Sequence, residues 1–227
     1  DLDLSGKPEK ALEKLLRLAK SGYLDQCLTR RNLIEMDMGD GKEPKVGLFF
    51  GAASIVKSIE WCRENIYPRG LPNVISHFFA FLVLTGAALG ITKKSKVRES
   101  RAMHINVVGG GHFRGRYGAV SITTLNEVVL GLKPYSLHGN GGLRFSCVEA
   151  GGRNMLRAIK GLFSGKFSKS YIKGVHVRRA DKITVKTDDL VTLDGEFYVP
   201  EEGNVISLRG DKSLTFVTLE NVDKKQK

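Results

Sequence analysis

Apolar and polar positions along this chain keep one rhythm at the start and another over most of its length. Leu12, Leu15, Leu16 and Ala19 recur at helical spacing, Pro8 suits a first turn and Glu9 the positive helix end. The spacing predicts an amphipathic helix over the first twenty residues. Beyond Gly22 the pattern shortens. Leu28 to Asp37 has strand character, Met38-Gly39-Asp40-Gly41 reads as a turn, and Val46 to Gly51 is a short apolar strand. A helix follows from Ile55 to Cys62, before Tyr67-Pro68-Arg69-Gly70.

Val74 to Ile91 carries no formal charge and is rich in Phe, Leu and Ala, and Lys93, Lys94 and Lys96 follow at once. A spanning helix needs about 20 apolar residues, and Ser76, His77, Thr85, Gly86 and Gly90 dilute this stretch. A buried or groove-lining helix is preferred over an interfacial one, and both over a true span.

After Lys96 the chain turns β-like. Strands are expected at Ala102 to Val108, Ala119 to Thr123, Leu143 to Val148, Gly174 to Val177, Ile183 to Thr187, Leu190 to Leu193, Val205 to Leu208 and Leu214 to Leu219. One helix interrupts them, Asn154 to Phe163, with Met155, Leu156, Ile159 and Leu162 on one face. The predicted class is α+β, mostly β: an antiparallel β-sandwich or curled sheet with a few attached helices. A length of 227 residues allows one or two domains. One is expected over residues 1–220, with a charged tail at 221–227.

Composition narrows the class of partner. Lys and Arg number 36 against 24 Asp and Glu, a formal charge of +12, so the partner is expected to be anionic: nucleic acid, an anionic membrane surface or a phosphorylated ligand. The hydrophobic fraction of 41% excludes a disordered chain. Cys27, Cys62 and Cys147 are odd in number and widely spaced, which argues against a disulfide framework and a zinc site, and for buried thiols. The acidic opening Asp1-Leu2-Asp3-Leu4 is not a signal peptide, and the chain does not open with Met.

Several constellations bear on chemistry. Gly109-Gly110-Gly111 leads toward another strand, so it reads as a hairpin loop and not as a phosphate cradle in front of a helix. His77, His104, His112, His138 and His176 lack HxxxH or HExxH spacing, and no GxSxG elbow is present. The basic segment Arg153 to Lys186 fits either a solvated face or an anion-binding one, without an RNA-stacking aromatic pattern. The string Leu193-Asp194-Gly195-Glu196 is different, because it places two carboxylates at a tight exposed corner. Alternation along an extended chain would point Asp194 and Glu196 to one side, where a close pair can act as a general base. Composition alone still favours a solvated turn.

The run Ser170 to Glu196, ending in that LDGE string, resembles the C-terminal part of bacterial diacylglycerol kinase-like lipid kinases, a family that includes the sphingosine kinases. Ser5 to Leu16, Val46 to Ile55, Thr123 to Pro134 and Leu143-Arg144-Phe145 are similar as well. The resemblance implies a β-sandwich domain that takes the lipid, joined in the family to a domain whose GGDGT loop binds ATP. No GGDGT occurs here. The chain is therefore expected to be the lipid-binding part of a two-part kinase, inactive by itself, with ATP and Mg²⁺ held mainly by the other part.

The resemblance implies Glu196 as the catalytic base with Asp194 beside it. It also implies an acyl-chain groove lined by Phe78, Phe79 and Phe81, with Lys93, Lys94 and Lys96 meeting anionic headgroups. A structural metal held by some family members is not expected, since Asn140 stands where their ligand string has Asp. The expected partners are a lipid substrate with a diacylglycerol-like hydroxyl and an anionic membrane surface, at the cytoplasmic side. No nucleic acid is expected. The alternative function is a non-catalytic basic module that binds anionic lipid or nucleic acid.

Overall fold

The computed structural model describes residues 8–65, 102–128, 132–135, 139–167 and 170–217. The stretch from Val74 to Ile91, with Phe78, Phe79, Phe81, Lys93, Lys94 and Lys96 in or beside it, lies outside them. So do His77, His138 and the 221–227 tail.

Two compact units divide the chain. The smaller holds helix α1 (Pro8–Lys20), a 3-10 turn at Leu24–Cys27, and strands β1 (Leu28–Asn32) and β13 (Ser213–Val217), which pair antiparallel from Leu28 opposite Val217 to Asn32 opposite Ser213. α1 forms where the leucine spacing predicts it, with Glu9 in its first turn and Arg17 and Lys20 in its last, as the helix dipole favours.

The larger unit, Leu33 to Lys212, is a single antiparallel sheet of eleven strands. In chain order these are β2 (Ile34–Asp37), β3 (Lys45–Gly47), β4 (Phe49–Ala53), β5 (Ala102–Val107), β6 (Gly111–Thr123) and β7 (Leu143–Glu149). They are followed by β8 (Val175–Ala180), β9 (Lys182–Lys186), β10 (Val191–Leu193), β11 (Glu196–Tyr198) and β12 (Ile206–Arg209). The path runs β11-β10-β4-β6-β5-β9-β12-β2-β3, with β7 on β6 and β8 on β7.

β6 joins the two halves. Its first residues, Gly111 to Arg116, pair with β5; beyond an irregularity between Tyr117 and Ala119 its remainder pairs with both β4 and β7. A bulge of this kind bends a strand and increases its twist, so one strand can serve two sheet halves. The halves curl about one core. Ile34, Met36, Ile105, Ile183, Val185 and Leu208 from one half meet Phe50, Val120, Ile122, Phe145 and Val191 from the other, all at most 2% exposed. Period-2 alternation is clear in β5, β9 and β12, whose residues are inward and outward by turns. The α+β, mostly β class with a curled antiparallel sheet is what the sequence pattern leads one to expect.

Two helices attach to this sheet. α2 (Ser54–Asn65) packs on β4 and β6, and α3 (Gly152–Phe163) packs on β7. Val148, Ala158, Phe167 and Val175 form a second, smaller core beneath α3. Cys27, Cys62 and Cys147 are buried and not disulfide-bonded. No helix among the described residues is long and apolar enough to cross a membrane.

Sequence and structure differ in detail where the chain is interrupted. The continuous strand read over Leu28 to Asp37 is two strands in different sheets, divided at buried Leu33, whose N–H bonds to the Lys212 carbonyl at 2.8 Å. The strand read over Val46 to Gly51 is likewise broken at Leu48, for a reason that lies far away in the sequence.

Candidate functional site

That reason is Asp194. β10 and β11 form a hairpin with Leu193 opposite Glu196, leaving two residues for the turn. Two-residue turns that match strand twist need positive φ, and Asp194 (φ 50) and Gly195 (φ 92) supply it. Asp-Gly suits this geometry, because Asp tolerates the left-handed region better than most residues and Gly enters it freely.

The turn aims the Asp194 side chain back across β4. Its Oδ1 accepts the Phe49 N–H at 2.8 Å, and the Leu48 N–H reaches Oδ2 at 2.9 Å and Oδ1 at 3.1 Å. The Asp194 N–H in turn donates to the Phe49 carbonyl at 2.8 Å. This reciprocal clamp takes Leu48 out of the β3–β4 run. The Leu48 carbonyl then accepts Thr123 Oγ1 at 2.8 Å and the Thr124 N–H at 3.1 Å, at the end of β6. Gly47 is required beside it: a Cβ there would lie 2.7 Å from Asp194 Oδ2 and from Leu193 Cγ.

Glu196 is exposed and is not clamped in the same way. Tyr198 donates its hydroxyl to Glu196 Oε2 at 2.8 Å. Burial pushes the Tyr198 phenol above its ordinary value, helped by the hydrogen bond to Glu196 and by the negative charges of Glu196 and Asp194. Both carboxylates thus act on one phenol, although the route differs from the extended alternation expected at this corner. The chain reverses between them; both are exposed, but the Asp194 carboxylate is bonded to the backbone N–H groups of Leu48 and Phe49 and that of Glu196 is not.

Arg63, in the last turn of α2, completes the corner. Its Nη2 donates to the Gly195 carbonyl at 2.6 Å, and its guanidinium lies 4.4 Å from the centre of the Phe197 ring. A cation is thereby held over the turn between the two carboxylates. Sequence reasoning passes over Arg63, which is 132 positions away. It also passes over Tyr198, for which the period-2 step from Glu196 along β11 is a usable signal.

The remaining candidates disperse. Gly109 and Gly110 lie in the loop between β5 and β6, where the Gly110 N–H closes a turn on the Val107 carbonyl at 2.8 Å. The loop therefore enters a strand, as its composition implies, and offers no helix N-terminus for a phosphate. His176 pairs with Glu149 at 2.8 Å and lies 5.3 Å from the Phe113 ring centre. Among the described residues no three His, Cys, Asp or Glu side chains gather where a metal ion could be held. Around Asn140 the neighbouring backbone is engaged: Asp181 Oδ1 accepts the Gly142 N–H at 2.9 Å and Arg179 donates to the Gly141 carbonyl at 2.8 Å.

Solved structures with this fold include one described as that of a "putative diacylglycerol kinase" from Bacillus anthracis. It superposes with a TM-score of 0.56 at 13% sequence identity over 91% of this chain. A second structure under the same description, from the same organism, gives a TM-score of 0.52 at 15% identity over 88% of this chain. The chain spans 63% and 61% of those two proteins. No family model matches the sequence, and no curated protein does.

Proposed function

We propose that this chain is the lipid-facing β-domain of an ATP-dependent lipid kinase that phosphorylates the hydroxyl of a diacylglycerol-like lipid. The observation that carries the reading is the β10–β11 corner. There Asp194 is tied to Leu48 and Phe49 while Glu196 is left exposed, with a phenol on its Oε2 and Arg63 on the turn behind it. The lipid-kinase-like fold supports it.

Glu196 is the general base. Its carboxylate takes the proton of the lipid hydroxyl as that oxygen becomes the nucleophile, and Tyr198 and Arg63 fix the approach. Asp194 is a positioning residue, because its carboxylate is engaged by backbone N–H groups. ATP supplies the phosphoryl group. The glycine-rich loop between β5 and β6 does not fit its phosphates, so ATP and Mg²⁺ belong to a part of the protein outside the described residues. The chain without that part is inactive. In this reading, which for these residues rests on the family resemblance alone, Phe78, Phe79 and Phe81 serve the acyl chain and Lys93 and Lys94 the headgroups. The protein works at the cytoplasmic membrane surface.

The test is a lipid kinase assay with ATP and diacylglycerol on the protein as its native cell makes it, alongside Glu196→Gln. Loss of turnover by roughly 10²-fold or more with the fold intact is expected. Turnover at the wild-type level in that variant would sink the assignment of the base. Absence of lipid phosphorylation by the native protein would favour the non-catalytic basic module.

A further inference from the structure

Three buried threonines stand around the β10–β11 corner, and their hydroxyls are used differently. Thr192, in β10, is fully buried, and Thr124 lies just past the end of β6; neither side-chain oxygen has a hydrogen-bond partner among the described residues. Thr123, the last residue of β6, is only 1% exposed, and its Oγ1 is engaged twice. It accepts the Leu125 N–H at 3.0 Å and donates to the Leu48 carbonyl at 2.8 Å. The incoming N–H takes an oxygen lone pair, which leaves the single hydroxyl proton for Leu48.

The Leu48 carbonyl and the Phe49 N–H belong to one planar peptide unit. Thr123 therefore grips one end of that unit, while Oδ1 of Asp194 accepts the N–H at its other end at 2.8 Å. Hydrogen bonds on both sides of an amide polarise it and strengthen each other. Leu48 sits between β3 and β4, outside either strand, and among the described residues its carbonyl is held by Thr123 Oγ1 and the Thr124 N–H. Beyond Asp194 the two-residue turn carries the chain to Glu196, opposite Leu193, which itself pairs with Phe50.

We infer that Thr123 is a positioning residue for Glu196. Its hydroxyl sets the Leu48–Phe49 peptide, that peptide sets the Asp194 carboxylate, and the Asp-Gly turn sets the base. The inference rests on the reading of Glu196 as the base and extends it to a residue 73 positions away that touches neither carboxylate. A reacting group misplaced by about 1 Å can cost on the order of 100-fold in rate. Loss of one relay bond, with the Thr124 N–H still on the Leu48 carbonyl, is a smaller displacement.

The test compares Thr123→Val, Thr123→Ser and Thr192→Val in the protein as its native cell makes it, by steady-state phosphorylation of a short-chain diacylglycerol with ATP. Thr123→Val keeps the β-branched shape but takes a donor from Leu48 and an acceptor from Leu125. It is expected to lower kcat about tenfold and to leave KM for the lipid unchanged. Thr123→Ser keeps the hydroxyl and should restore kcat to within about twofold. Thr192→Val makes the same exchange at a hydroxyl with no partner, on the strand that enters the turn, and should stay within about twofold of wild type. Hydrogen exchange at the Phe49 amide should quicken about tenfold in Thr123→Val and not in Thr192→Val. Urea titration of each variant separates loss of folded protein from loss of rate.

Wild-type kcat in Thr123→Val overturns the inference, as does unchanged exchange at Phe49. Equal losses in Thr123→Val and Thr123→Ser, or in Thr123→Val and Thr192→Val, reduce the effect to packing and overturn it too. If the native protein phosphorylates no diacylglycerol, the kinase reading fails and the positioning role falls with it. If it does, and Glu196→Gln removes that turnover while Thr123→Val leaves it intact, the inference on Thr123 fails alone.

Discussion

At the β10–β11 corner, charge is absorbed into structure: Asp194 satisfies the N–H groups of Leu48 and Phe49, and Tyr198 caps one oxygen of Glu196. On the outward face of β5, β6 and β9, the same kind of strand alternation sets Arg114, His104 and Lys186 side by side with no such partners among the described residues. The difference lies in the connections. A two-residue turn with both residues at positive φ throws the Asp194 side chain across the neighbouring strand, where backbone donors wait. A regular ladder leaves every second side chain perpendicular to the sheet, where only another molecule can meet it. Partnered charge therefore marks where the fold is fixed, and unpartnered charge marks where it faces outward.

The sharpest break of this comparison is between the two carboxylates themselves. Glu196→Gln should cost turnover by roughly 10²-fold or more while leaving the denaturation midpoint near wild type. Asp194→Ala should do the reverse first, because it strands two backbone donors and loses charge-assisted hydrogen bonds worth about 2 kcal/mol together in this exposed setting. Urea titration reads that loss. A variant at Asp194 as stable as wild type would separate the clamp from the fold.

Smaller effects sharpen the picture. Arg63→Ala removes the donor to the Gly195 carbonyl and the contact with Phe197, and should lower stability by about 1 kcal/mol. Arg63→Lys should recover only part of it, since an ammonium lacks the planar face that lies over the ring.

A further effect appears only in alkali. Burial, with the nearby Cys147 and Glu149 side chains, pushes Tyr117 up to about 12 from an ordinary 10.0. The unfolded chain then loses that proton before the folded one does. The contribution is complete below about pH 10 and is lost as pH rises through about 12. Burial raises the Cys147 thiol as well and adds to the same alkaline loss. Thermal melts across this range should show stability falling with pH, and Tyr117→Phe should flatten the slope.

Much of the fold was legible in the sequence, because the signals that define it are local. The leucine spacing before Lys20 gives α1, Met155, Leu156, Ile159 and Leu162 give α3, and alternation at Ala102 to Val107 and Lys182 to Lys186 gives strands that the structure contains. The Asp-Gly turn was equally visible, since Asp and Gly tolerate the positive φ it needs. The Ser170 to Glu196 run, by its resemblance, led to a fold that solved structures share.

What the sequence left open depended on contacts between distant residues. A continuous apolar run from Val46 to Gly51 gave no sign that Leu48 would be drawn out by a carboxylate 146 positions away. Period-2 reasoning placed Asp194 and Glu196 on one extended side, and the left-handed turn separated their tasks. Arg63 was an unremarked cation at the end of a helix until β11 brought Phe197 beneath it. A count of +12 stated that the chain was basic, but only strand register decided which cations stand opposite one another. Local sequence sets backbone preference and side-chain period, whereas hydrogen bonds and cross-strand neighbours exist only after distant segments meet.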